Sequence, residues 1–202
     1  MKKLSPVIFA LSLISGCNNS VESTKDSPAA VIQQPAKPAL TPDERAKLIA
    51  GATKGFSLER DKMENISFYT VKAPANFKPE LSGYLAVPDK AKPVFRVVFT
   101  YRGERWVFFE SVKVMADDQV VFERPFLRSE IARDNSAGLV LEYADIVGRP
   151  ANMASFEKIA QAKSVVVRFS GRERRHDHTL SKGEVTRFKK TLEAYKSLAT
   201  DL

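Results

Sequence analysis

The sequence predicts an α+β domain: a single curved antiparallel sheet of about six to eight strands with helices packed on one face. Three observations carry this. Segments that alternate apolar and polar residues with a period of two follow one another, separated by short polar turns. Amphipathic stretches at helical spacing open near residues 41, 150 and 181. The chain's one cysteine, Cys17, lies ahead of all of them, so the fold must rest on packing rather than on disulfides.

The first helix is announced by Thr41-Pro42-Asp43-Glu44, with Thr41 as N-cap, Pro42 at the first helical position and Glu44 completing a capping box. It should run to about Ala50 and stop at Gly51. In the next segment Ile66, Phe68 and Thr70 alternate with Ser67, Tyr69 and Val71, which suits a strand. Leu81–Val87, bounded by Pro79 and Pro88, is another. The strongest strand is Val94–Tyr101, where Phe95, Val97, Phe99 and Tyr101 share a face. A turn at Arg102-Gly103-Glu104 should return the chain as Arg105–Met115, with Trp106, Phe108, Val112 and Val114 facing one way. Asp117-Asp118 then turns it into Val120–Phe126, and the three strands are expected to form a meander. Leu139–Tyr143 adds a strand, and Met153, Phe156, Ile159 and Ala160 mark a helix over about Pro150–Ala162. Val165–Phe169 reads as a strand that extends through Gly171 towards His178. Ser181 and Glu184 repeat the capping box and open a closing helix faced by Val185, Phe188, Leu192 and Tyr195.

Three of these features are Tyr101-Arg102-Gly103-Glu104-Arg105-Trp106-Val107-Phe108-Phe109, Val167-Arg168-Phe169-Ser170-Gly171 and the terminal helix near Tyr195. With them, Phe95–Leu198 loosely resembles a group of bacterial envelope lipoprotein domains. That group carries no established activity, so the resemblance supports the fold and adds nothing on function.

Ahead of the domain, Lys2 and Lys3 precede a mostly apolar run, Leu4–Ser15, which is too short to span a bilayer as a helix. Ile14-Ser15-Gly16-Cys17 then resembles the lipobox of bacterial lipoproteins. The resemblance implies that residues 1–16 are a signal peptide, removed by signal peptidase II, and that Cys17 becomes acylated. Two or more chains, at about 0.8 kcal/mol per buried methylene, would anchor the protein stably. Asn18 in place of an aspartate implies sorting to the outer membrane, facing the periplasm, in a Gram-negative host. In any other host the anchor would sit on the outer face of the plasma membrane. Residues 17–40, with Pro28, Pro35 and Pro38 and no apolar periodicity, read as a disordered tether to a folded domain at 41–202.

The formal charge is +8, and loss of Lys2 and Lys3 with the leader reduces it to +6 once the new terminus is acylated. A basic domain at a membrane surface is drawn to anionic head groups. Nucleic acid is not an expected partner in that compartment, although the charge alone would suit it.

Recognisable catalytic chemistry is sparse. Ser155-Phe156-Glu157-Lys158 matches an S-x-x-K motif but lacks its partner motifs. Glu110, Glu123, Glu142 and Asp145 are scattered, with no spacing that pairs any two as acid and base. His176 and His178 would share a strand face, but they are the chain's two histidines and no spacing nominates the further ligands a metal needs. An exposed strand end is therefore expected there, with no metal and no cofactor. If the last strand runs unbroken, Arg168, Arg172 and Arg174 join the histidines in a basic row able to grip phosphate or carboxylate. Among the aromatics, a helix should cover Trp106 and Phe108 and leave Phe109 on the outer face.

The expected function is that of a lipid-anchored interaction or binding module of the envelope rather than an enzyme. It would dock another envelope protein or, alternatively, bind anionic lipid or peptidoglycan groups through the arginine row. A hydrolase whose site the sequence conceals is the further alternative.

Overall fold

The computed structural model describes residues 40–202 apart from Ala137, so the leader, Cys17 and the segment up to residue 39 lie outside the described residues. The fold is α+β, with two antiparallel sheets and three α-helices. Helix α1 (Pro42–Ala52) begins at the expected box: the Thr41 side chain accepts from the Glu44 N–H, and the Glu44 carboxylate accepts from the Thr41 N–H at 2.9 Å. Strands β1 (Phe56–Asp61), β2 (Ile66–Val71), β3 (Leu81–Pro88) and β4 (Val94–Gly103) follow. Then come β5 (Ser111–Ala116), β6 (Gln119–Pro125), β7 (Ile131–Ser136) and β8 (Leu139–Val147). Helix α2 (Pro150–Gln161), strands β9 (Val165–Ser170) and β10 (Arg175–Thr179), and helix α3 (Lys182–Asp201) complete the chain.

The ten strands divide between a six-stranded sheet, ordered β1-β2-β3-β4-β8-β7, and a four-stranded sheet, ordered β10-β9-β5-β6. Strand β4 explains the arrangement. Its inner residues Phe95, Val97, Phe99 and Tyr101 are buried, as the alternation requires. Phe95 packs on Phe156 of α2 and on Phe188 and Tyr195 of α3, whereas Phe99 meets Phe122 of β6 and Tyr101 meets Phe169 of β9. One end of the large sheet is thus covered by helices and the other by the small sheet, and a single aromatic core runs between them. A Cβ on Gly83 would come within 2.9 Å of the Phe95 ring, so that residue must stay small for Phe95 to seat.

Three expectations fail. The three central segments do not form a meander, because β4 pairs with β3 and β8, while β5 pairs with β6 and β9 in the other sheet. The predicted strand Arg105–Met115 is shorter for the same reason: residues 104–110 are the crossing between sheets, and regular pairing resumes at Ser111. Nor does the last strand continue through Gly171. It turns there, with the Gly171 N–H donating to the Arg174 carbonyl at 2.8 Å, and β10 returns antiparallel on β9.

Candidate functional site

The crossing segment is held by one carboxylate. Glu142, on β8, is fully buried and accepts the backbone N–H groups of Val107 at 2.8 Å, Phe108 at 2.8 Å and Phe109 at 3.1 Å. Arg133, on the neighbouring β7, supplies the counter-charge, its Nε lying 3.2 Å from the same carboxylate. A buried charge needs this kind of payment in hydrogen bonds and opposite charge, and here the payment fixes a loop. The Tyr101 hydroxyl donates to the Arg105 carbonyl at 2.6 Å and closes the start of the same segment.

Because three consecutive N–H groups converge on one side, the loop cannot alternate as a strand does. Phe108 takes a left-handed conformation, with φ of +49°. Phe108 is 57% exposed, while Phe109, beside it, is fully buried against Phe126 and Phe169. The expected exposure of the two phenylalanines is therefore reversed, since it assumed an extended chain. Trp106 stacks on Phe108 with ring centroids 5.5 Å apart and planes 15° from parallel, and the Arg133 guanidinium lies 5.7 Å from the Phe108 ring.

The pair lines a cleft of about 530 Å³, which Glu104, Arg105, Glu110, Arg172, Glu173 and Arg174 also line. Gly171 makes the wall possible, because a Cβ there would sit 2.1 Å from the Val107 carbonyl oxygen.

The arginines do not form the row that an unbroken strand would give. Arg168 lies opposite Asp177 across the hairpin and is engaged with it through two bonds of 2.6 Å, which hold the Asp177 carboxyl below the ordinary carboxylate range against slight desolvation. Arg172 and Arg174 instead belong to the tight turn at the mouth of the cleft, and Arg172 reaches Glu110 at 3.1 Å. His176 and His178 lie opposite Phe169 and Val167, and so on the other face from Arg168. They turn inward and are half-buried rather than presented as an exposed strand end.

Sequence reasoning missed the role of Glu142, because the loop N–H groups it accepts lie more than thirty positions away and no motif joins them. Its one local sign is a carboxylate flanked by Leu141 and Tyr143 in a largely apolar strand. Cleft and fold together define a class: an α+β domain carrying a preformed aromatic cleft of mixed charge. Comparison with known protein families and with curated proteins finds no match to the chain.

Proposed function

We propose that the chain is a lipid-anchored binding module of the bacterial envelope, and that it takes a peptidoglycan fragment in the Trp106–Phe108 cleft. The carrying observation is Phe108, a large apolar side chain kept exposed on a left-handed backbone. Such a conformation costs on the order of 1–3 kcal/mol and persists only where its surroundings enforce it. Here Glu142 enforces it at the rim of the cleft.

The chemistry of the lining favours a ligand with flat apolar faces and ionised groups of both signs. Sugar rings present C–H faces that lie well on stacked aromatics, and the peptide stems carry carboxylates and amines. Arg105, Arg172 and Arg174 suit the carboxylates, while Glu104, Glu110 and Glu173 suit the amines. A purely anionic surface, such as a phospholipid head-group layer, would meet those carboxylates as like charges. Among the described residues no helix is long and apolar enough to cross a membrane, so the anchoring reading rests on Cys17 and its lipobox.

Trp106 is the only tryptophan, so intrinsic fluorescence reports on the cleft directly. Titration with soluble peptidoglycan fragments should shift its emission saturably, and Phe108→Ala should weaken binding about ten-fold or more, as loss of a stacking face does. An unchanged spectrum together with equal retention of wild type and Phe108→Ala on intact peptidoglycan would reject the proposal and leave docking of an envelope protein in its place.

A further inference from the structure

Apart from the cleft, the inward-facing histidines meet two acidic side chains that sequence spacing did not nominate. Glu80 immediately precedes β3 and is almost fully buried. Its Oε1 lies 3.3 Å from His176 Nε2 and 3.8 Å from His178 Nδ1. Its Oε2, screened from water, has no hydrogen-bond partner among the described residues, although His176 Nε2 lies 3.2 Å away at an unfavourable angle. One donor atom from each of the three residues falls within 4.8 Å of the other two.

Tetrahedral ligands about 2.0–2.1 Å from a zinc ion stand roughly 3.3 Å apart, so these separations bracket what a metal requires and need only small side-chain adjustments. Glu184, at the start of α3, supplies a second observation. His178 Nε2 lies 3.2 Å from both oxygens of its carboxylate, leaving Nδ1 turned towards Glu80. An imidazole that binds metal through one nitrogen and donates its other N–H to a carboxylate is the usual outer-sphere arrangement of such sites. Glu184 is itself fixed by the Ser181 N–H at 2.8 Å and the Glu80 N–H at 3.0 Å. The Tyr101 ring, 5.0 Å from that of His176, walls the other side.

We propose that Glu80, His176 and His178 form a binding site for a divalent transition metal of the zinc type, with Glu184 orienting His178. Two imidazoles with one carboxylate suit zinc or cobalt and not calcium or magnesium, which take oxygen ligands. Three protein ligands leave one coordination position for water or an exogenous ligand. The site is independent of the cleft and stands whether or not that binds peptidoglycan.

The test uses the full chain, purified without a histidine tag in detergent and stripped of metal. Calorimetric titration with zinc chloride should give one equivalent of binding, with no response to calcium or magnesium. Glu80→Gln, His176→Gln and His178→Gln should each abolish it. Glu184→Gln, which preserves the capping box, should weaken it about ten- to a hundred-fold. Wild-type protein loaded with cobalt separates metal binding from any folding defect of the variants: nitrogen and oxygen ligation should give tetrahedral-type visible bands with no thiolate charge transfer. Absence of zinc binding by the wild type, variants that bind as well as it does, or a thiolate band placing the metal on Cys17 would each overturn the proposal. The cluster would then be an ion-pair network tying β10 to α3.

Discussion

Glu142 shows how much one residue can decide. The carboxylate has no exposed surface, and its oxygens are spent on three loop N–H groups and Arg133. Glu142→Ala leaves those donors and the guanidinium without their acceptor, which should cost about 3–5 kcal/mol. Urea denaturation measures that loss, and a loss below about 1 kcal/mol would mean that the carboxylate does not hold the loop. A carboxylate set between Leu141 and Tyr143 is the one local sign of this role, and it does not name the partners. Phe108 and Phe109 were legible only as apolar residues, because the period that places them holds in a strand and fails in a loop with positive φ. His176 and His178 were legible as sharing a face, yet Glu80 and Glu184 reach them from separate elements that only the tertiary fold brings together.

Elements were legible wherever the period was strong and the ends were chemically marked. Both capping boxes, at Thr41 and Ser181, begin helices where expected, and α2 starts at Pro150 as its composition requires. Strands β1 and β7 escaped because Glu59, Arg60, Asp61, Arg133, Asp134 and Asn135 leave little apolar contrast to read. They are the edges of the large sheet, where polar residues face water and also discourage pairing with other chains. The β9–β10 hairpin was read as one strand since Gly171 is compatible with either outcome. The structure gives that glycine a second duty, the close approach of the Val107 carbonyl. Gly171→Ala should therefore push the loop off Glu142. The expected readout is altered Trp106 emission with a destabilisation of roughly 1–3 kcal/mol, as for other overpacked sites. Unchanged emission and stability would show that the loop has room to move away.

At the scale of the whole molecule, α+β class and the positions of most core residues follow from pattern, but the division of strands between two sheets does not. Alternation records which residues are buried and is silent on which strand lies alongside. Phe99 and Val114 look alike in sequence, yet one belongs to the six-stranded sheet and the other to the four-stranded sheet. The core extends across both sheets and all three helices, with Leu48, Ile49 and Ala52 of α1 packed at its margin.

Location and binding are separable properties of such a molecule, because the proposed anchor lies outside residues 40–202 and the cleft lies within them. The proposed anchoring rests on Cys17 alone, there being no other cysteine to acylate. Cys17→Ala should therefore accumulate as unprocessed precursor, fail to incorporate labelled palmitate and lose detergent-phase partitioning as an acylated protein. A single acyl chain holds a protein only marginally and two or more hold it stably, so the change in partitioning should be nearly complete. Trp106 emission in response to peptidoglycan fragments should be the same in the variant as in the wild type, since no residue of the cleft has changed. Normal palmitate incorporation by Cys17→Ala would remove the anchor from the proposal. Loss of the Trp106 response, with palmitate incorporation also lost, would show that the cleft needs the lipid or the membrane surface to engage its ligand.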